Sequence, residues 1–128
     1  MKALGLLLMS LALSACNAPE DAGIHVDVPQ DRLDSREAQR RGQALFLQKC
    51  AICHGVRADG DGVRREGLSA KPANFRNKDW RARTNALHVY TVLSEGKRGS
   101  SMPAWPTLSD EERWDLVAFV LSVSEEMP

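Results

Sequence analysis

The chain has little of what several common functions require. Its 128 residues include three cysteines, three phenylalanines, three tryptophans and one tyrosine, and the formal net charge is zero. A balanced charge without a basic stripe argues against nucleic acid as a partner. The sequence also has no polybasic patch that would bind anionic lipid headgroups. Its main apolar run, Ala3 to Leu13, is too short to span a bilayer as a stable helix.

That apolar run is instead typical of a secretory signal, since it follows Lys2 and has the length of an h-region. It ends in Leu13-Ser14-Ala15-Cys16, which resembles the bacterial lipobox. The resemblance implies cleavage of residues 1–15 and lipid on Cys16, so that acyl chains attach the protein to a membrane. We predict a lipoprotein that faces the periplasm, at the outer or the inner membrane. An ordinary signal with a leftover cysteine is the alternative.

Residues 16–34 contain Pro19, Gly23, Pro29 and several acids without an apolar period. They predict a flexible tether with a root-mean-square reach of roughly 25 Å. The folded domain is then expected to cover residues 35–128.

Helical patterns dominate this domain. A first helix is expected from Ser35 or Arg36 to about Cys50, and Gly42 in its middle indicates close approach of another backbone. A middle helix is expected over residues 85–94. The last helix is predicted to start at Ser109, with Glu112 as its capping-box partner. Almost no segment alternates as a strand would, so the fold class is all-α.

The segment Cys50-Ala51-Ile52-Cys53-His54 carries the chemistry. Two thiols separated by two residues can add to the vinyl groups of haem, and the histidine that follows can bind the iron. A thioredoxin-like pair would need a strand–helix–strand context, and zinc would need a second pair of ligands. The sequence has neither. We therefore expect one haem c, held covalently by Cys50 and Cys53, with His54 on its iron.

Met102 is the candidate for the sixth ligand of the iron. It lies in a loop between two predicted helices, and two prolines stiffen that loop. Met127 is a poor alternative because it lies one residue from the end of the chain. His88, in the middle helix, is the other possible ligand, although a solvent-facing role is expected for it. His25 lies in the predicted tether and needs no role.

Several motifs in this order resemble a class I cytochrome c over nearly all of residues 36–123: Gly42, Phe46, Cys50 to Gly55, Met102-Pro103-Ala104-Trp105 and Trp114-x-Leu116-x-x-Phe119. The resemblance implies three to five helices around one haem, with the first and last helices crossing. It also implies that the carbonyl of Pro72 accepts a hydrogen bond from His54. It does not identify the groups that neutralise the haem propionates, for which the candidates are Arg76, Trp80, Arg98 and Trp105.

The resemblance implies a monomeric electron carrier, not an enzyme, that docks transiently with a redox donor and acceptor. Two alternatives stay open. The chain can be the electron-transfer subunit of a larger respiratory or dehydrogenase complex. It can also be a haem enzyme or gas sensor with a labile sixth ligand, which would need a distal residue such as His88.

Overall fold

The structure is a computed structural model that describes residues 26–123. These residues form helices and loops without a strand, which confirms the all-α prediction. Residues 26–123 contain six helices, above the predicted three to five, because three of the six have only four or five residues. The helices are α1 (Gln30–Leu33), α2 (Arg36–Lys49), α3 (Ala51–His54), α4 (Lys78–Ala82), α5 (Ala86–Glu95) and α6 (Asp110–Ser122).

The crossing of α2 and α6 forms the centre of the fold. A Cβ atom on Gly42 would overlap the backbone carbonyl of Asp115 and would lie 2.9 Å from Cβ of Phe119. The rings of Phe46 and Phe119 pack together in the same helix contact, with centroids 5.1 Å apart. The predicted crossing is confirmed, and the glycine is needed because the two backbones touch.

The helix ends follow their sequence signals. Ser109 and Glu112 form a capping box at the start of α6, as predicted. The Asn85 side chain accepts a hydrogen bond from the backbone N–H of His88 and so caps α5. Gly96 ends α5 with a φ of 76°, a conformation that favours glycine. Between its two ends, α5 packs against α6, where the Tyr90 and Trp114 rings stack at 4.4 Å.

The predicted tether requires a correction, because its last nine residues, 26–34, belong to the folded part. Val26, Val28 and Leu33 pack against the core. The Arg32 side chain of α1 donates a hydrogen bond to the buried Asp115 carboxylate on α6, at 3.0 Å. The physical reason is that α6 is buried on nearly all sides, so that α1 has to cover the face that α2 and α5 leave open.

Some predictions lie outside the described residues: the signal peptide at 1–15, the lipidation of Cys16, and any role of His25 or Met127. Between residues 26 and 123, no helix is long and apolar enough to span a membrane.

Candidate functional site

A cleft is lined by residues from all helices from α2 to α6 and from the loops around them. Its empty space, including the part open to solvent, is about 1120 Å³. Cys50, Cys53, His54 and Met102 all line it, so the fold brings together the four residues that the sequence assigned to one cofactor. Much of the remaining wall is apolar: Phe46, Phe75, Val89, Val92, Leu93, Leu116 and Val120.

The short helix α3 places both cysteines and the histidine at the cleft. It continues directly from α2, since the N–H of Cys50 donates to the carbonyl of Phe46 at 2.8 Å and the N–H of His54 to that of Cys50 at 2.9 Å. Neither Cys50 nor Cys53 is paired in a disulfide. Gly55 then turns the chain with a φ of 80°, and a Cβ atom there would overlap the Asp59 carboxylate. The motif is thus held between a helix and a tight turn.

The imidazole of His54 is oriented by the carbonyl of Ala73, which lies 3.1 Å from Nδ1. The prediction that Pro72 supplies this carbonyl is wrong by one residue. Pro72 lines the cleft, but its carbonyl faces the turn at Gly60, 2.9 Å from where a Cβ would be. The register is set by the N–H of Phe75, which donates to the carbonyl of Ala58. Since a carbonyl only accepts, Nδ1 carries the proton and Nε2 is available to a metal.

Burial changes the ionisation of two of these groups. It lowers the pKa of His54, and the hydrogen bond to Ala73 opposes this only in part. The ring is therefore neutral at neutral pH, which is the form that binds metals. Burial also raises the pKa of the Cys50 thiol to about 11, with Lys49 acting in the opposite direction. In the polypeptide before haem attachment, Cys50 is accordingly a thiol, not a thiolate, at neutral pH.

Met102 is held by the backbone of its loop. Its carbonyl accepts a hydrogen bond from the N–H of Lys97 at 3.0 Å, and its N–H donates to Oγ of Ser100 at 3.2 Å. The loop is joined to α5 by the N–H of Trp105, which donates to the carbonyl of Leu93 at 2.9 Å. These bonds fix the loop in the position that brings Met102 to the cleft.

The polar lining of the cleft differs from what the sequence suggested. Trp80 and Trp105 line it, whereas Arg76 and Arg98 do not. Three lysines that the sequence analysis missed line it instead, at positions 49, 71 and 97. The sequence could have indicated two of these lysines, because Lys49 directly precedes Cys50 and Lys71 directly precedes Pro72. His88 also lines the cleft, although it is exposed.

These residues fit a haem. The apolar wall suits the faces of the ring, and no aspartate or glutamate among the described residues lines the cleft, while three lysines do. Nε1 of Trp105 is buried without a hydrogen-bond partner and is a donor that a carboxylate could use. Two thiols, a neutral imidazole and a thioether are the donor set of a c-type haem site. Residues 26–123 hold no cluster of His, Cys, Asp and Glu that suits another metal site.

Comparison with known proteins agrees with this fit. The family model described as cytochrome c oxidase, cbb3-type, subunit III matches residues 37–120. Cytochrome c55X of Stutzerimonas stutzeri is 30% identical over 79 residues, which cover 59% of this chain and 58% of that protein. A thiosulfate dehydrogenase of Allochromatium vinosum is 29% identical over 96 residues, which cover 74% of this chain and 35% of that protein. The chain thus spans less than two thirds of either relative.

Solved structures give the same picture. The KustC0563 c-type cytochrome is 35% identical with a TM-score of 0.53, and the match covers 64% of this chain and 95% of that one. A chain of the Kuenenia stuttgartiensis reducing HAO-like protein complex Kustc0457/Kustc0458 is 26% identical with a TM-score of 0.63. That match covers 78% of this chain and 46% of the other. With a family match over most of its length and a cleft that gathers the haem-attachment motif and a methionine, this chain belongs to the cytochrome c oxidase, cbb3-type, subunit III family and is a small c-type cytochrome.

Proposed function

We propose that the chain carries single electrons on one haem c, bound covalently by Cys50 and Cys53, with His54 and Met102 as the two axial ligands of the iron. The observation that supports this most strongly is the shared cleft. Met102 is far from the Cys50–His54 motif in sequence, yet the loop after α5 brings it to the same cavity.

The two axial residues have different tasks. When bound, the haem supplies an iron that can cycle between the ferrous and ferric states. His54 offers a neutral imidazole whose tautomer the Ala73 carbonyl fixes and whose basicity it raises. Met102 offers a soft thioether, which favours the ferrous state and raises the reduction potential, as does the apolar wall. If His54 and Met102 both bind the iron, no coordination position would be left for a substrate, so we propose a carrier and not an enzyme.

An apolar patch beside the haem-attachment motif is suited to brief docking of redox partners. Ile52, Val56 and Val63 are 48%, 74% and 92% exposed. The N–H of Gly62 donates to the carbonyl of Cys53, and the N–H of Arg64 donates to that of Ile52, so the loop lies against α3. A small exposed apolar area of this kind fits a weak, transient interface rather than a permanent one.

Carbon monoxide distinguishes this function from a gas sensor or haem enzyme. The native ferrous protein should bind carbon monoxide only slowly at neutral pH, because Met102 must first dissociate. Rapid binding, measured by flash photolysis or stopped flow, would contradict the proposal and support the alternative with a labile sixth ligand.

A role as a subunit has separate support from the comparisons. The matching family is named for an oxidase subunit, and one structural match is a chain of a complex. Membranes solubilised in mild detergent test this: co-purification with a redox enzyme at fixed stoichiometry indicates a subunit, whereas elution alone indicates a free carrier.

We also propose that the protein is a periplasmic lipoprotein, on the basis of the lipobox-like residues before Cys16. The wild-type protein should incorporate radiolabelled palmitate, and Cys16→Ser should not. Equal labelling of the two proteins would contradict lipid attachment at this residue.

A further inference from the structure

One short segment, residues 73–75, contacts the His54 imidazole in two ways. The carbonyl of Ala73 accepts the hydrogen bond from Nδ1. The ring of Phe75 stacks on the face of the imidazole, with centroids 4.7 Å apart and planes inclined by 21°. The hydrogen bond fixes the tautomer but permits the plane of the imidazole to tilt. A flat ring against its face resists that tilt.

Phe75 is itself held on several sides. Its side chain is buried at 9% exposure. Trp80 contacts its ring edge-on at 4.8 Å, and Phe46 does so at 6.1 Å. Its N–H donates to the carbonyl of Ala58 at 2.9 Å. The Phe75 ring therefore has little freedom to follow His54 if the imidazole turns.

The loop after the haem-attachment motif adopts a costly conformation to hold this segment. Ala58 has a φ of 58°, in the left-handed region that favours glycine over residues with a Cβ atom. It is nevertheless buried, and its N–H donates to the carbonyl of Gly55 while its own carbonyl accepts from Phe75. The position of Phe75 is thus fixed through the same loop that follows His54.

We propose that Phe75 is a positioning residue that sets the orientation of the His54 imidazole plane about its bond to iron. The inference rests on the proposed ligation of iron by His54. The orientation of an axial imidazole relative to the porphyrin determines how the iron d orbitals split. It therefore determines the g values of the ferric iron and the paramagnetic shifts of the haem methyl groups.

Four variants separate this role from simple packing. Phe75→Leu removes the flat aromatic face. Phe75→Met also removes it, but its flexible side chain fills gaps, so this variant serves if the leucine variant fails to fold. Phe75→Tyr keeps the ring. Phe119→Leu is the matched control, because Phe119 packs on Phe46 and has no ring contact with His54 among the aromatic pairs of the described residues.

The readouts are low-spin electron paramagnetic resonance and proton NMR of the ferric holoproteins. We expect Phe75→Leu and Phe75→Met to change the g values and rearrange the haem-methyl shifts, whereas Phe75→Tyr and Phe119→Leu keep the wild-type pattern. The inference is overturned if the Phe75 variants without a ring keep the wild-type pattern, or if Phe119→Leu changes it equally. A wild-type protein without a low-spin His–Met spectrum would instead overturn the proposed function.

Discussion

At the scale of single residues, the two proposed iron ligands are supported unequally. His54 lies in a helical turn, with a hydrogen bond at Nδ1 and a ring stacked on its face. Met102 lies in a loop and is fixed through backbone hydrogen bonds with its neighbours. Met102 therefore has fewer restraints than His54, and it is the proposed iron ligand that is easier to lose.

Replacing the thioether tests that side directly. Met102→Ala should keep the covalent haem but lose the ferric methionine–iron charge-transfer band, and its reduction potential should fall, because the soft ligand no longer favours ferrous iron. Visible spectroscopy and a redox titration measure both effects. Arg98→Ala changes an exposed residue of the same loop that does not line the cleft, and it should keep the band. A normal spectrum in Met102→Ala would exclude this methionine as the ligand.

The single tyrosine, Tyr90, should make the fold sensitive to alkali. Burial raises the pKa of Tyr90, and so does the hydrogen bond that its hydroxyl donates to Asp110 at 2.8 Å. Because the folded-state pKa lies above the unfolded value, this contribution is full below about pH 10 and is lost as the pH rises through the folded pKa. Tyr90→Phe should be less stable at pH 7, and the difference from wild type should shrink above pH 10. Urea unfolding at several pH values measures this difference in stability. A difference that stays constant above pH 10 would contradict the contribution assigned to the Tyr90 hydroxyl.

At the scale of elements, the α2–α6 crossing has the strictest requirement. Gly42→Ala would improve helix propensity by about 1 kcal/mol in an isolated helix. Here the added methyl group overlaps the Asp115 carbonyl, so we expect a net destabilisation of about 1–3 kcal/mol. Gln43→Ala, at the exposed neighbouring position, is the control. Urea unfolding measures the free energy of unfolding of each variant. A Gly42→Ala variant as stable as wild type would mean that α2 and α6 do not touch at this residue.

The contact of α1 with α6 can be tested by its ion pair. Arg32 and Arg41 both reach the Asp115 carboxylate, which is 4% exposed. Arg32→Ala should reduce stability by about 1 kcal/mol, since Arg41 still neutralises the carboxylate while α1 loses its polar contact. Hydrogen exchange in residues 26–34 should become faster than in Arg36→Ala, an exposed arginine on α2. Equal exchange in both variants would contradict the docking of α1 through Arg32.

Helix prediction succeeded where local signals agreed. Ser109 with Glu112 marked the start of α6 correctly because caps act within a few residues. Helix α1 was missed because one turn flanked by Pro29 has no period to detect, and its order comes from contacts with α6. Tertiary contacts of this kind are not visible in a local pattern.

At the scale of the whole molecule, the sequence predicted which residues would line one cofactor site. It did not predict every hydrogen-bond partner or charged residue of that site. The spacing of Cys50, Cys53 and His54 is fixed by covalent chemistry and can be recognised in any sequence. The carbonyl at His54 was assigned one residue too early, because the register of a long loop depends on distant hydrogen bonds such as that between Phe75 and Ala58. The three lysines of the cleft were missed because the tertiary fold determines which charged side chains line the cleft, although Lys49 and Lys71 stand next to Cys50 and Pro72 in the sequence.

The cleft also affects how much apolar surface the protein can bury when no cofactor is bound. The cleft is lined in part by residues of the hydrophobic core, among them Phe46, Val89 and Leu116. A protein of this size has a thin core for its surface, so an apolar plate in this cavity would supply much of the missing burial. Covalent attachment would make that contribution permanent, because the cofactor could no longer dissociate.

The most direct test of the central claim is the attachment of haem to Cys50 and Cys53. Protein matured in a host with cytochrome c maturation machinery should stay red after acid–acetone extraction, and its mass should exceed that of the polypeptide by one haem. Cys50→Ala together with Cys53→Ala should release its colour under the same treatment. A colourless wild-type polypeptide with no added mass would contradict the account.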